Sequence, residues 1–352
     1  MSPGSQKPEI KNLTPEQLAT WFQQHGMRTF RAQQVHKWIY LRQAETFEQM
    51  TDLSKAARKL LSDHFTLRRL EIKKTETSRD GSRKYLFELH DGNLIESVLI
   101  PEKNHDTLCI SSQVGCAQGC RFCLTSRGGF VRNLSAGEII SQVSDIRRDI
   151  GPQGKLTNVV LMGMGEPLAN YDNVVAALNI ITDGDSGLKI STRRVTLSTA
   201  GLVPNIPRLG RDVQVNLAVS LNAADNETRN GLMPINRKYP IEKLLAACKA
   251  YPLQNRRKIT FEYILIKGVN DSPAEARRLA ALLRPVRAKI NLIPFNVHAE
   301  STFECPDEAT ILEFQQILTN DNYTVMIRRS KGGDISAACG QLRAKARLDV
   351  RR

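Results

Sequence analysis

The sequence predicts an α/β fold: a parallel sheet covered by helices and rolled, fully or partly, into a (β/α) barrel, behind a small helical domain and a β-connector. Three observations point there. Beyond residue 123, short apolar runs alternate with segments of helical period. Glycines and short polar residues gather at the C-terminal ends of several different runs, where a barrel assembles its site. The first 112 residues read as helix and then as strand. At 352 residues and 41% hydrophobic, the chain buries a core without needing a disulfide framework.

From Leu13 to about Leu70, Leu18, Trp21 and Phe22, then Val35, Trp38, Ile39 and Leu41, recur at helical spacing, so residues 1–70 are expected to form the helical domain. The period changes at Glu71. EIKKTET, KYLFELH, NLIESVLIP and TLCISS read as strands around the turn pairs Asp80-Gly81 and Asp91-Gly92, which makes residues 71–112 the β-connector. Residues 113–342 are the expected barrel core. Strand-like runs fall at 158–162, 194–198, 213–221, 259–266, 289–295 and 323–328, with helical patterns at about 136–148, 171–182, 241–250, 273–284 and 307–319. A doubly wound sheet shares this alternation; the placing of the polar motifs favours the barrel. Residues 343–352 form a basic tail.

Seven cysteines, an odd count, do not make a disulfide scaffold, and a reducing compartment is expected. The N-terminal stretch is polar and acid-containing, without the apolar core of a signal peptide, and no run approaches the ~18 residues of a membrane span. A cytoplasmic monomer with no membrane partner is therefore expected. The net charge of +14 is unevenly placed: residues 1–85 carry 16 basic and 9 acidic side chains, and residues 328–352 carry 8 and 2. The middle of the chain is nearly neutral. Basic ends around a neutral core suit a polyanionic partner such as nucleic acid; a solvated, solubilising charge is the plainer alternative.

Cys116, Cys120 and Cys123 stand in GCAQGCRFC, a C-x3-C-x2-C spacing that lets three thiolates wrap one metal centre. A closed zinc site wants four ligands, and only Cys109 is at hand as a fourth. An iron-sulfur cluster held by three cysteines leaves one iron open to a small molecule. The run NVVLM leads into GMGEP, where Gly165 lets the backbone approach a ligand and Glu166 is able to accept from an ammonium group. Ser198, Ser220, Asn222 and Asn296 lie at or just after the ends of further runs; one ligand faced by all of them accounts for the pattern better than four separate caps.

The cysteine loop resembles that of radical S-adenosylmethionine enzymes. The runs CAQGCRFC, GGFVRNLSAGEI, LMGMGEPLANYDNV, STRRVTLSTAGLVP, GLMPINRKYPI, LIKGVND, LIPFN and IRRSKGGDISAACGQL together look like the RlmN/Cfr family of RNA methylases, in order from about Leu94 to Leu342. The sequence departs from the usual pattern at Leu124 and Ser126, where Ala and Gly are common, and at Asn222, where His is frequent. Asn222 keeps a donor and an acceptor but offers no proton transfer.

The resemblance implies a partial (β/α)6 radical-SAM barrel. It implies a 4Fe-4S cluster on Cys116, Cys120 and Cys123, with S-adenosylmethionine chelated by the open iron and held by Gly165, Glu166, Ser198, Ser220, Leu221, Asn222 and Asn296. It implies that Cys339 takes a methyl group to become S-methylcysteine, that a second S-adenosylmethionine supplies the radical, and that Cys109 resolves the RNA adduct through a transient disulfide with Cys339. Glu96 is the implied proton acceptor. The implied substrates are adenosine C2 in the peptidyl-transferase region of 23S rRNA and in the adenosine 3′ of the anticodon of tRNAs, with an electron donor such as a flavodoxin. Three alternatives stay open at this point: the adenine-C8 branch of the same family, a zinc-stabilised RNA-binding protein without catalysis, and a radical enzyme acting on a small molecule.

Overall fold

Side-chain caps fix where the first helices begin. In the computed structural model, which describes residues 7–344 apart from 255 and 299, α1 (Pro15–Gln24), α2 (Arg31–His36) and α3 (Lys55–His64) form the N-terminal unit. Thr14 and Gln17 share a capping box at α1, and the Ser54 hydroxyl accepts from the Ala57 N–H at α3, so N–H groups that a helix start leaves free are satisfied locally. Leu18, Phe22, Val35 and Leu61 are buried within this unit. It meets the rest of the chain through polar bonds. The buried Lys11 ammonium donates to the Ser141 hydroxyl at 2.6 Å, and the Gly137 N–H donates to the Asn12 side chain at 2.9 Å.

The connector is an antiparallel meander of β1 (Glu71–Thr77), β2 (Arg83–Glu88) and β3 (Leu94–Pro101), turning at the two Asp-Gly pairs. β3 pairs antiparallel with β4 (Asp106–Cys109), so the connector is continuous with the main sheet. A separate ribbon, β5 (Gln113–Gly115) with β6 (Phe130–Asn133), brackets the cysteine loop, which carries the short α4 (Leu124–Arg127). These pieces are too short to give a periodic signal in sequence.

From β4 the sheet runs parallel through β7 (Leu156–Leu161), β8 (Val195–Thr199), β9 (Asn216–Ser220), β10 (Ile259–Leu265), β11 (Ala288–Pro294) and a three-residue β12 (Val325–Ile327). The crossovers are α5 (Ala136–Asp149), α6 (Tyr171–Thr182), α7 (Asn205–Asp212), α8 (Asn226–Leu232) with α9 (Ile241–Ala250), α10 (Pro273–Leu283) and α11 (Glu308–Asn320). Six parallel strands with helical returns make the expected partial barrel, and β12 adds a short seventh. Val159, Leu197, Leu217, Phe261, Ile290 and Leu292 are fully or almost fully buried, as strands covered on both faces require. α7 and α8 escaped the sequence pattern: each is a turn or two long, one holding Pro207 and the other Gly231.

β1 and β12 are the two edges of the ten-stranded sheet, so the barrel does not close on itself by strand pairing. A strap after β12 crosses the opening. The Gly332 N–H donates to Asp80, Ser78 donates to Asp334, Lys84 donates to the Ile335 carbonyl, and the Arg343 N–H donates to Glu96. The expected basic tail at 343–352 lies, from residue 345 onward, outside the described residues. No helix among the described residues is long and apolar enough to cross a membrane.

Candidate active site at the mouth of the barrel

The cysteine loop is shaped by contacts that its own sequence dictates. Gly115 has φ +73°, and a Cβ there would lie 1.9 Å from the Gly129 carbonyl oxygen, the same oxygen that accepts from the Cys116 N–H at 2.8 Å. Only glycine lets the loop start so close to its return strand. Ser126, one of the departures from the family pattern, donates within 2.8 Å of the Cys120 and Cys123 carbonyls and ties the loop's far half together. Leu124, the other, is buried, and its N–H donates to the Gly340 carbonyl, which fastens the strap to the loop.

Cys116, Cys120 and Cys123 line one cavity of about 150 Å³ with Gly165, Glu166, Ser198, Ser220 and Asn222. Burial pushes the Cys116 thiol up to about 12 and the Cys120 thiol well above its usual range, and the neighbouring sulfurs and Glu166 add to both. Behind Cys120 sits Arg229, fully buried, donating to the carbonyls of Leu221, Ala200 and Ser220 and to the Asn236 side chain. None of these acceptors is a carboxylate. Burial lowers Arg229 to about 10, with Cys120 opposing that shift. A buried cation with neutral partners beside three thiols is the charge environment that suits a net-anionic thiolate cluster. Cys109 is not part of this group: it faces Cys339 and Arg328, which removes it as a fourth ligand of a zinc site. Among the described residues, no three His, Cys, Asp or Glu side chains converge tightly enough to hold a single ion.

The cofactor-contacting candidates divide. Gly165, at φ +103°, has Gln113 where a Cβ would be, 2.6 Å away, and so brings bare backbone to the cavity wall. Both oxygens of the buried Glu166 are already engaged, accepting from the Leu168 N–H at 3.0 Å and the Ala200 N–H at 2.7 Å. The carboxylate therefore clamps the end of β8 to the turn after β7, with the Thr199 side chain as a further hydrogen-bond partner. Asn222, with a left-handed backbone at φ +59°, accepts from the Ile264 N–H through Oδ1 and directs its amide toward the Met233 sulfur. Leu221 and Asn296 do not line this cavity. Leu221 is fully buried and presents its carbonyl to Arg229. Asn296 donates to the Cys339 carbonyl at 3.0 Å and so ties the strap to the segment after β11, with its second N–H and its Oδ1 left over.

Cys339 is brought in by the strap and lines two cavities: the one above, and a second of about 480 Å³ inside the barrel toward the N-terminal ends of the strands. The second is rimmed by Arg193, Arg194, Lys289, Arg329 and Lys331. Arg328, Glu262 and Met162 also belong to both walls. Cys109, on β4, is buried, and its thiol is pushed up to about 12 by burial and then by Cys339, with Arg328 opposing. Glu96, on β3, is buried with its acidity lowered by that burial; Oε2 accepts from the Arg343 N–H and Oε1 lies 3.6 Å from the Lys84 ammonium. It lines neither cavity. Sequence reasoning missed Arg229, Arg328 and Glu262, because a charge inside a short helix, a basic run or a strand carries no local mark of pointing inward.

A barrel with a three-cysteine loop at its mouth and a glycine-acid turn beside it defines a radical S-adenosylmethionine enzyme, and comparison with known proteins agrees. Residues 110–280 match the model of the radical SAM superfamily, and residues 9–67 match that of the ribosomal RNA large subunit methyltransferase N-terminal domain. The chain is 61% identical to the dual-specificity RNA methyltransferase RlmN of Desulfosudis oleivorans, over 96% of this chain and 91% of that protein. It is 52% identical to the RlmN of Syntrophobacter fumaroxidans, over 96% and 98%. The crystal structure of a radical SAM methyltransferase from Sphaerobacter thermophilus superposes with a TM-score of 0.89 at 43% identity, covering 96% of this chain and all of that one. The chain belongs to the RlmN family of radical S-adenosylmethionine RNA methyltransferases. Its cofactors are a 4Fe-4S cluster and S-adenosylmethionine.

Proposed function

We propose that this enzyme methylates C2 of adenosine in folded RNA: in the peptidyl-transferase region of 23S rRNA and at the adenosine 3′ of the anticodon in tRNAs. The observation that carries this reading is the place of Cys339, in the wall shared by the cluster-side cavity and the basic cavity. An electron-poor ring carbon such as adenine C2 does not displace a methyl group from a sulfonium. A sulfur nucleophile does, and a residue reaching both compartments is able to receive a methyl group on one side and present it on the other.

In this reading Cys116, Cys120 and Cys123 hold the cluster, Arg229 balances its charge, and Gly165, Glu166, Ser198, Ser220 and Asn222 line the place of S-adenosylmethionine. The cluster and S-adenosylmethionine together supply a 5′-deoxyadenosyl radical. Cys339 carries the methyl group, Cys109 resolves the adduct by a transient disulfide, and Glu96 accepts a proton once the strap yields the Arg343 N–H. The cationic rim at Arg193, Arg194 and Lys289 receives the phosphates flanking an unstacked adenosine, and residues 1–70 hold the rest of the RNA. The enzyme works as a monomer in the cytoplasm, fed by a flavodoxin-type donor.

The test is anaerobic reconstitution with iron and sulfide, then incubation with S-adenosylmethionine, a reductant and unmodified rRNA or tRNA, with mass spectrometry of the adenosines. 2-Methyladenosine in both RNAs is expected. 8-Methyladenosine would move the enzyme to the sister branch, and RNA binding unaffected by removal of residues 1–85 would remove the role given to the N-terminal unit.

A further inference from the structure

Arg328 and Cys339 stand in the wall between the cavities, and the buried Cys109, which lines neither, adjoins Met162 of that wall. Arg328 follows β12, its N–H bonded to the Leu292 carbonyl, and its side chain turns inward until Nη1 lies 3.3 Å from the Met162 sulfur. The Cys109 sulfur bonds the backbone of the same Met162, and Arg328 and Cys339 line both cavities. Met162 thus adjoins both the guanidinium and the Cys109 sulfur, and Cys339 shares both cavity walls with Met162 and Arg328. Across from Arg328, Glu262 accepts from the Asn291 amide through Oε1 at 3.0 Å, while its buried Oε2 has no hydrogen-bond partner among the described residues. That carboxylate, with Lys289 as its other charged neighbour, lines both cavities with Arg328 and favours its positive charge.

We propose that Arg328 is a positioning residue that serves the two sulfurs in turn, as counter-ion first of the Cys339 thiolate and then of the Cys109 thiolate. The proposal rests on the reading of Cys339 as methyl carrier. In the first role, the Cys339 thiolate, its proton given to solvent, forms a bond to the methyl carbon of S-adenosylmethionine. The sulfonium–carbon bond breaks with its electron pair, leaving S-adenosylhomocysteine and a neutral thioether. Arginine stays protonated throughout, so its charge is still there afterwards. The only charged or titratable groups that face Cys109 among the described residues are Arg328 and Cys339, one favouring its ionisation and the other opposing it. Methylation abolishes the opposing charge and leaves Arg328 to Cys109 alone. The resolving thiol is therefore armed by the step that must precede its use, and before that step it is protected from premature reaction.

The experiment compares the initial rate at which methyl methanethiosulfonate modifies Cys109 in the reconstituted enzyme before and after Cys339 is methylated with S-adenosylmethionine. It is read at one pH by top-down mass spectrometry and scored for Cys109 only on chains that carry a single thiomethyl group, on that residue, with Cys339 still free or S-methylated. In the wild type, methylation is expected to speed Cys109 modification severalfold; crowding by the added methyl group alone would slow it. Arg328→Lys keeps the acceleration and Arg328→Met abolishes it, with Cys305 as an internal reference that responds to neither. Glu262→Gln, which frees the guanidinium to shift, shrinks the acceleration. The wild-type comparison needs no variant, so misfolding of Arg328→Met does not decide the matter. Unchanged or slower Cys109 modification after methylation overturns the proposal. Failure of Cys339 to acquire a methyl group overturns instead the reading on which it rests.

Discussion

Replacing Gly115 by Ala tests whether the cysteine loop is built as described. At φ +73° an alanine costs about 1–2 kcal/mol through crowding of its Cβ. The added atom would also stand 1.9 Å from the Gly129 carbonyl oxygen, so backbone has to give way. What gives way is the bond from the Cys116 N–H to that oxygen, a further ~1 kcal/mol. The sum of about 2–3 kcal/mol corresponds to a fall in Tm of about 3–4 °C for a chain of this size. More telling is iron content, because the displaced residue is Cys116 itself. After anaerobic reconstitution, Gly115→Ala is expected to hold clearly less iron per chain than the wild type and to show weaker absorbance near 400 nm. Gly231→Ala is the matched control: it lies in α8 with nothing within 4 Å of an added Cβ, and is expected to gain about 0.5–1 kcal/mol with full iron loading. Gly115→Ala with wild-type Tm and wild-type iron would refute the reasoning.

Ser126→Ala removes the brace on the Cys120 and Cys123 carbonyls; a loss of about 1 kcal/mol is expected, with iron still incorporated but released several times faster to a chelator. Arg229→Met leaves three carbonyls and the Asn236 side chain without their donor in a fully buried site; at about 1–3 kcal/mol for each stranded acceptor, offset in part by removal of the buried charge, about 3–5 kcal/mol of stability should be lost, read by denaturant unfolding. His36 is buried, and that burial lowers it to about 4 from an ordinary 6.5. The unfolded chain therefore binds the extra proton first, so stability is complete above pH 6.5 and falls toward pH 4 by up to about 3 kcal/mol; His36→Leu should flatten this limb of the pH–stability curve. Asp80→Ala unties the Gly332 N–H from the β1–β2 turn, and hydrogen exchange across residues 332–340 should quicken, with Tm nearly unchanged.

Most of the barrel was legible because its signals are local. The apolar runs ending at Leu161, Ser220 and Leu265 are strands by length and composition, and the helices starting after Ser135, Ser272 and Asp307 announce themselves by their caps. α7 and α8 did not, since a one- or two-turn helix with Pro207 or Gly231 owes its existence to the tertiary packing of Ile206, Leu209 and Leu232. The same divide runs through the site. The three cysteines and the glycine-acid turn carry their spacing with them. Arg328 reads in sequence as part of the basic run IRRSK, and only the return of the strap beside β12 and β11 turns it inward. Asn296 lies just beyond the end of β11, and one N–H of its amide donates to the Cys339 carbonyl, a contact that no local pattern announces. Glu96, implied as proton acceptor, is buried on its strand, and its carboxylate meets the strap and not the cavities.

The claim on which the account turns is that Cys339 hands a methyl-derived carbon from one cavity to the other. The most direct measurement charges the reconstituted enzyme with S-adenosylmethionine labelled in its methyl group, removes the free cofactor, and adds RNA with unlabelled S-adenosylmethionine and reductant for a single turnover. The account predicts that label leaves the Cys339 peptide and appears in 2-methyladenosine, and that Cys339→Ala neither takes up label nor modifies RNA. Label that stays on Cys339 while the RNA gains an unlabelled methyl group would contradict it.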